Sequence, residues 1–297
     1  MPEIEKYKGI WLLWDYIPSQ ALAITFAVLF AIITALHMHK MFRTKMWFCM
    51  PFVIGGICEP IGYTARALAS SHTASLTLFL LQALFILLPP VLFAATLYMV
   101  YSRIVRSVRR PLLSPISPLW CTRIFVIGDL VCLNIQSTGG GLTANEKISK
   151  IGDKIVVAGL GLQIAIFVGF VVCCVVFHLR FARYVREEGM VVHVPWKAML
   201  NMLYVCSVII SVRNVFRLVE YVMGKGSYLF ANEWPVYVFD GALMLVVMVV
   251  YYVWYPDQLV VNRTDSMVEL TEESEGVEEQ GGRKKSKMQR YFKMGQW

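Results

Sequence analysis

The sequence predicts an all-α membrane protein with seven transmembrane helices, and three observations support this fold class. The composition is 57% hydrophobic and only 16% charged, whereas about a quarter of the residues of a soluble domain are charged. The mean hydropathy is +0.58. Apolar stretches of about 20 residues, the length that crosses the hydrocarbon core of a bilayer, recur along the chain. This pattern excludes a soluble fold, a collagen, a disulfide scaffold and a disordered polymer.

The apolar stretches divide the chain into three regions. Residues 1–17 form an extracellular N-terminal segment, 18–256 form the membrane domain, and 257–297 form a disordered cytoplasmic tail. The first region carries mixed charges without the short apolar core of a cleavable signal peptide, so we expect the first span to act as the targeting signal. The predicted spans are 18–37, 46–69, 75–101, 119–138, 155–178, 197–223 and 235–255.

The spans differ in the charges that interrupt them. The first, third and fifth contain no Asp, Glu, Lys or Arg, the seventh contains Asp240, and the fourth contains Asp129 and, near its start, Arg123. The second and sixth carry several charges, but their length and flanking residues still favour spans.

Lys and Arg in the short loops predict the orientation, because these residues are retained on the cytoplasmic side. The loops after the first, third and fifth spans are richer in Lys and Arg than the loops after the second, fourth and sixth. The N-terminus is therefore predicted outside and the C-terminus in the cytoplasm. The same retention accounts for the net charge of +8 without a nucleic-acid partner. The glycosylation pattern Asn262-Arg263-Thr264 would then be cytoplasmic and unmodified.

The tail from Asn262 to Trp297 has an acidic block followed by a basic block, a composition typical of disorder. It could bind a cytosolic partner, or its basic block could rest on the anionic inner leaflet. All seven cysteines fall within predicted spans or at their edges, so an extracellular disulfide is not expected.

Ionisable residues at membrane depth are the most informative feature of the sequence. Each would cost roughly 3 kcal/mol if left unpaired in lipid, so these side chains must pair or line a wet cavity. Three pairs of polar residues are separated by seven positions, which is nearly two helical turns, so each pair shares one helix face. These pairs are Glu59 with Arg66, Asp129 with Gln136, and Arg213 with Glu220.

In the predicted orientation, Glu59 and Asp129 lie near the midplane and the other polar residues lie in the outer half. This distribution predicts a water-accessible cavity that is open toward the outer leaflet or the exterior and built from spans two to seven, with span one more peripheral. The alternative is a salt-bridge and amide network that only fixes helix packing. The candidate polar-groove residues are Glu59, Arg66, Asp129, Gln136, Gln163, Arg213, Arg217, Glu220 and Asp240.

Prolines and histidines give weaker signals. Pro60, Pro89 and Pro90 interrupt helical hydrogen bonding and are candidate hinges, with a static bend as the alternative. The five histidines are expected at span ends or in loops, so no metal site is predicted. The chain has no Gly-x-x-x-x-Gly-Lys-Ser/Thr pattern for nucleotide binding. We expect no cofactor and no enzymatic activity.

Two classes of seven-helix protein lack support in the sequence. A retinal protein needs a Lys in its last span, and residues 235–255 contain none. A G-protein-coupled receptor would show an acidic-Arg-Tyr end to span three, a Pro in span six, Asn-Pro-x-x-Tyr in span seven and an outer disulfide. None of these features is present.

Six motifs, in order along the spans, together resemble the fungal lipid-translocating exporter family, the resistance-to-aminocholesterol-like seven-helix membrane proteins that include the yeast sphingoid long-chain-base exporter. Tyr255 departs from this family, many of whose members have His there. The motifs are Glu59-Pro60-Ile61-Gly62-Tyr63-x-x-Arg66, Pro90 with Ala94-Ala95-x-x-Tyr98, Phe125-Val126-x-x-Asp129 continuing to Gln136-x-x-Gly139-Gly140, Gly159 with Gln163, Arg213-x-x-Phe216-Arg217-x-x-Glu220-Tyr221, and Glu233-x-x-x-Tyr237-x-x-Asp240.

The resemblance implies a fungal multi-pass protein of the plasma membrane, or otherwise of another endomembrane, that gives resistance to toxic amphiphiles. It implies movement of sphingoid bases or sterol-like compounds, and porphyrins are also connected with the family. The residues themselves agree with this class, since the buried carboxylates could attract a cationic amine and the arginines could hold phosphate or carboxylate. The expected partners are membrane lipids or amphiphilic small molecules.

Two routes of movement remain open at the sequence level. One is downhill leaflet exchange, and the other is export coupled to protonation of Glu59 or Asp129. The competing function is a lipid sensor that signals through the cytoplasmic tail, and a third reading is a structural membrane protein.

Overall fold

A computed structural model confirms the all-helical fold class, and the residues that it describes form seven helices long and apolar enough to cross a membrane. The structure describes residue 16 and residues 18–73, 75–108, 111–143, 148–188, 196–224 and 227–256, and these ranges contain no strand. The first fifteen residues and the predicted tail, 257–297, lie outside the described residues. The glycosylation pattern, the acidic block and the basic block are in that tail.

The helices follow the predicted order, and most extend beyond the predicted spans. The seventh span, Val236–Val253, begins as a π-helix, Val236–Ala242, and continues as α8, Leu243–Val253. The short helix α7, Tyr228–Ala231, precedes it, and the 3₁₀ turn Trp47–Cys49 precedes α2. The other helices are α1 Gln20–Thr44, α2 Met50–Ala69, α3 Leu76–Ser107, α4 Pro118–Thr143, α5 Ser149–Glu188 and α6 Trp196–Met223.

Serine side chains begin two of these helices. The Ser19 hydroxyl accepts the Leu22 N–H at the start of α1, and the Ser75 hydroxyl accepts the Leu78 N–H at the start of α3. Each bond satisfies one of the free amide groups at a helix N-terminus. Lys45 ends α1 in a left-handed conformation with φ 54°.

Glycines set the closest helix contacts around α2. A Cβ on Gly56 would lie 2.7 Å from the Thr34 Oγ1 of α1, and a Cβ on Gly62 would lie 2.9 Å from the Ile86 side chain of α3. α2 is therefore held tightly between α1 and α3, in the way that small residues allow helices to approach in a membrane.

The expectation that all histidines are interfacial or in loops is wrong for His37. His37 is 1% exposed, and a ring nitrogen lies 3.0 Å from the Met248 carbonyl oxygen of α8. Its ring packs 4.9 Å, centroid to centroid, from the Phe52 ring. The cause is the length of α1, which continues to Thr44 and so places His37 inside the bundle rather than at a span end. His193 lies outside the described residues.

The three hinge candidates lie inside continuous helices. α2 runs through Pro60, and α3 runs through Pro89 and Pro90, which are both buried. The hinge role stays a prediction. All seven cysteines are buried and free.

Candidate functional site

A cavity of about 380 Å³ lies among the spans, within the 300–1,000 Å³ range of typical ligand pockets. Its walls come from α2 to α6 and the seventh span, and from Tyr16 before α1. One wall is polar, with Arg66, Arg217 and Glu220, and another is apolar, with Leu84 and Leu87. The cavity therefore has the two-sided chemistry of an amphiphile.

A chain of ion pairs supports the polar wall. The Asp240 carboxylate contacts two arginines of α6: Arg213 Nε lies 2.9 Å from Oδ1, and Arg217 donates to Oδ1 at 2.9 Å and pairs with Oδ2. Arg217 Nη1 also pairs with Glu220 Oε2 at 2.9 Å. Two cations and two anions thus balance one another, as buried charges in a membrane require.

Arg66 belongs to a second polar cluster, with Glu233 at its centre. Arg66 Nη2 lies 2.9 Å from Glu233 Oε1 and donates to the Tyr16 hydroxyl at 2.8 Å. The Ser19 N–H lies 2.8 and 2.9 Å from the two Glu233 oxygens, and the Tyr237 hydroxyl donates to Glu233 at 2.9 Å. This cluster joins the start of α1 to α2 and the seventh span.

Tyr16, the cluster member outside the spans, is a neutral partner in this arrangement. Burial raises the pKa of the Tyr16 hydroxyl, while the positive charge of Arg66 opposes that rise.

Two buried carboxyl groups lie outside these ion pairs. Glu59 is 1% exposed, and neither of its oxygens has a hydrogen-bond partner among the described residues. Asp129 accepts the Tyr98 hydroxyl at 2.7 Å through Oδ2, while its Oδ1 has no partner in the described part of the chain. Neither residue lines the cavity.

Amide side chains provide further polar groups at the cavity. Gln136 of α4 donates to Gln163 of α5 at 2.7 Å. Gln82 and Gln136 both line the cavity, and their side-chain oxygens accept no hydrogen bond from the described residues. Two acceptor oxygens are therefore buried beside the cavity without a donor among the described residues.

The candidate residues from the sequence separate into three groups in the structure. Four line the cavity, namely Arg66, Gln136, Arg217 and Glu220. Three more lie behind the lining residues. Asp240 pairs with Arg217, and Arg213 pairs in turn with Asp240. Gln163 accepts a hydrogen bond from Gln136. Glu59 and Asp129 belong to neither of these groups.

Sequence reasoning omitted Glu233, Tyr16, Tyr237 and Gln82 from the candidate residues. The sequence spacing could have indicated Glu233 and Tyr237, which lie seven and three positions before Asp240. This is the same spacing that places three charged residues on one face of α6. No spacing signal marks Tyr16, which precedes the first helix.

Comparison with known proteins gives one family and several curated relatives. A profile described as RTA1 like protein matches residues 52–263, a range that includes every candidate residue. No solved structure matches the chain significantly.

The relatives are proteins of Saccharomyces cerevisiae. Protoporphyrin uptake protein 1 is 29% identical over 279 residues, which cover 81% of this chain and 91% of the relative. Protein RTM1 is 34% identical over 204 residues, 69% of this chain and 66% of the relative. Sphingoid long-chain base transporter RSB1 is 23% identical over 277 residues, 81% of this chain and 72% of the relative.

Proposed function

The chain belongs to the RTA1-like protein family, and on that premise we propose that it translocates amphiphilic lipids across a membrane, giving resistance to them, without hydrolysing ATP itself. Membership confirms the resemblance drawn from the six sequence motifs. The names of two relatives refer to a sphingoid long-chain base transporter and to protoporphyrin uptake, and both support movement of an amphiphilic compound.

The observation that carries the proposal is the two-sided cavity among the spans. A fully polar substrate would lie against the leucines of the apolar wall, and a pure hydrocarbon would lie against Arg217 and Glu220 of the polar wall. Only a molecule with a polar head and an apolar body satisfies both walls, because a buried polar group needs a partner.

The free hydrogen-bonding groups of the cavity favour a head group that donates hydrogen bonds. Arg66, Arg213 and Arg217 already have carboxylate partners, so a phosphate would have to displace a protein carboxylate. The oxygens of Gln82 and Gln136 are free to accept. These contacts support an ammonium or hydroxyl head, as in a sphingoid base.

Glu59 supports the proton-coupled route over simple leaflet exchange. A buried carboxyl group without an ion-pair partner is costly to ionise and can gain or lose a proton as its surroundings change. Substrate flux of wild type should depend on pH, and the flux of Glu59→Gln should not. Identical pH dependence in the two proteins would favour downhill leaflet exchange, which needs no titrating carboxyl.

A growth assay tests the proposed function in cells. Fungal cells that express the wild type should tolerate more of a toxic long-chain amine than cells with an empty vector, and Glu220→Gln should remove most of this tolerance. The matched control is Glu187→Gln, at an exposed position near the end of α5. Equal tolerance with Glu220→Gln and Glu187→Gln, at equal expression, would contradict the proposal.

A lipid sensor would use the same cavity but would need the tail to signal. Removal of 262–297 should leave tolerance and lipid flux in place if the chain translocates. Loss of tolerance with lipid binding retained would favour the sensor.

We place the protein in the plasma membrane, as the family resemblance implies, and its N-terminus outside, as the loop charges predict. In that orientation the end of the bundle that holds the cavity, where α3 begins and α4 ends, faces the exterior. The tail would then lie in the cytosol, where it could meet a protein partner.

A further inference from the structure

α3 and α4 are joined at one end. Where α3 ends and α4 begins, the Tyr98 hydroxyl donates to Asp129 at 2.7 Å and the Ser102 and Thr122 hydroxyls lie 2.7 Å apart. The Tyr98 ring also packs on the Phe125 ring at 5.4 Å. These contacts hold α3 against α4 on the predicted cytoplasmic side of the cavity.

Toward the opposite end, the two helices follow different neighbours. Ile86 of α3 packs on Gly62 of α2, where an added Cβ would lie 2.9 Å from the Ile86 side chain. Gly139 of α4 packs on α5, where its added Cβ would lie 2.7 Å from Val156 and 2.9 Å from the Gly152 oxygen. In this half of the bundle, α3 is therefore packed on α2 and α4 is packed on α5.

The exposed part of the cavity lining lies on α3 and α4 and marks the opening of the cavity. Its exposed lining residues are Leu80, Ala83 and Leu84 on α3 and Ser137 and Gly141 on α4, and the described lining residues on α2, α5 and α6 are buried or half-buried. Leu80 and Leu84 are 37% and 44% exposed. Because α3 and α4 are both membrane spans, this opening faces the bilayer sideways.

We propose that the opening between Leu80 and Leu84 of α3 and Ser137 and Gly141 of α4 is a lateral portal for the hydrocarbon chain of a single-chain amphiphile. The head group lies between Glu220 of the polar wall and Gln82 of α3. The hydrocarbon chain passes out between α3 and α4 into lipid. This inference rests on the proposed function and adds the route of entry. A cavity of about 380 Å³, near the lower end of the range for ligand pockets, has room for one small head group and the first part of one chain rather than for the larger head and two chains of a phospholipid.

Two glycines make the portal testable. An added Cβ on Gly140 or Gly141 meets no atom within 4 Å, although both residues line the cavity. A large side chain at either position would therefore extend into open space and narrow the portal without pushing on a helix. Gly161 of α5 is equally open but does not line the cavity, so it provides a matched control.

The experiment uses the purified full chain in phosphatidylcholine vesicles, with a long-chain amine that carries a photoreactive diazirine on the part of its chain close to the head group. In the wild type, cross-links should map to α3 and α4 at the portal. Gly140→Phe and Gly141→Phe should each reduce cross-linking and transbilayer movement of the amine about ten-fold. Gly161→Phe should leave both at the wild-type level, and all variants should keep the wild-type unfolding temperature.

The outcomes separate the portal from the proposed function. The portal would be wrong if the cross-links were spread over the lipid-facing residues of all helices. It would also be wrong if Gly141→Phe and Gly161→Phe were cross-linked equally. Loss of movement in Glu220→Gln with full movement in both portal variants would overturn the portal and leave the proposed function intact. A third outcome is that Gly140→Phe and Gly141→Phe both remove the portal cross-links while even the wild type does not move the amine across the bilayer. That result would support the portal and contradict translocation. The proposal of a single-chain occupant would be wrong if excess phospholipid displaced the cross-links and excess unlabelled amine did not.

Discussion

At the scale of residues, Asp240 is the central charge of the site. It is 1% exposed and pairs with both Arg213 and Arg217, which stand one helical turn apart on α6. Glu220 pairs with Arg217 alone. Without Asp240, Arg217 would keep Glu220 as its partner, whereas the buried Arg213 would lose its ion-pair partner.

Asp240→Asn should therefore destabilise the fold strongly. Removal of one partner from a buried ion pair leaves an uncompensated charge and costs about 3–5 kcal/mol. Thermal unfolding of the purified protein in detergent measures the effect, with Glu187→Gln as the exposed control. An unfolding temperature equal to that of the control would show that Asp240 does not neutralise the arginines.

Glu59→Gln should behave in the opposite way. The substitution removes a charge without removing a hydrogen bond or ion pair, because neither Glu59 oxygen has a partner among the described residues. The free energy of unfolding should change by no more than about 0.5 kcal/mol, or rise. The same detergent unfolding assay checks this, and a loss as large as that of Asp240→Asn would show that Glu59 holds a stabilising contact.

The sequence was sufficient to predict which side chains share a face, but not which faces meet. Spacing placed Arg213, Arg217 and Glu220 on one side of α6, and the structure brings all three to the ion-pair chain of Asp240. The partner of Arg66 was missed because Glu233 precedes the apolar stretch that defines the seventh span. Pairing depends on how helices cross, and one sequence carries no signal for that.

At the scale of elements, most of the helices exceed their predicted spans. The fifth span was predicted at 155–178, and α5 runs from Ser149 to Glu188. Hydropathy detects only the part in hydrocarbon, whereas a helix continues into the interface where water can satisfy polar side chains. The π-helix Val236–Ala242, which contains Asp240, was not predicted, because its composition differs little from that of an apolar α-helix.

The contact between α4 and α5 yields an element-scale prediction. Gly139→Leu should separate the two helices and destabilise the protein by about 1–3 kcal/mol, because its Cβ would already lie 2.7 Å from Val156. Gly161→Leu, which enters open space, should have little effect. Detergent unfolding of both variants tests this, and equal stability would mean that α4 and α5 are not closely packed at Gly139.

At the scale of the whole molecule, the sequence predicted the number and order of the spans and the existence of buried polar pairs. It could not predict that the exposed lining residues of the cavity lie on α3 and α4, because that depends on how the helices pack against one another. The orientation in the membrane is a prediction from loop charges alone.

A glycosylation test checks the orientation. The native pattern at Asn262 should carry no glycan, because it would lie in the cytosol. An acceptor pattern added near the N-terminus should be glycosylated when the chain is expressed in fungal cells. Gel mobility before and after glycosidase treatment gives the answer, and a glycan on Asn262 would reverse the assigned orientation.

Translocation of an amphiphile through the cavity is tested most directly by transbilayer movement in vesicles that contain only the purified chain and no nucleotide. A labelled sphingoid base should cross faster with the wild type than in protein-free vesicles, and Glu220→Gln should abolish most of the gain while Glu187→Gln keeps it. If the wild type bound the base saturably yet moved it no faster than protein-free vesicles under any ion gradient, the chain would be a lipid sensor rather than a translocator.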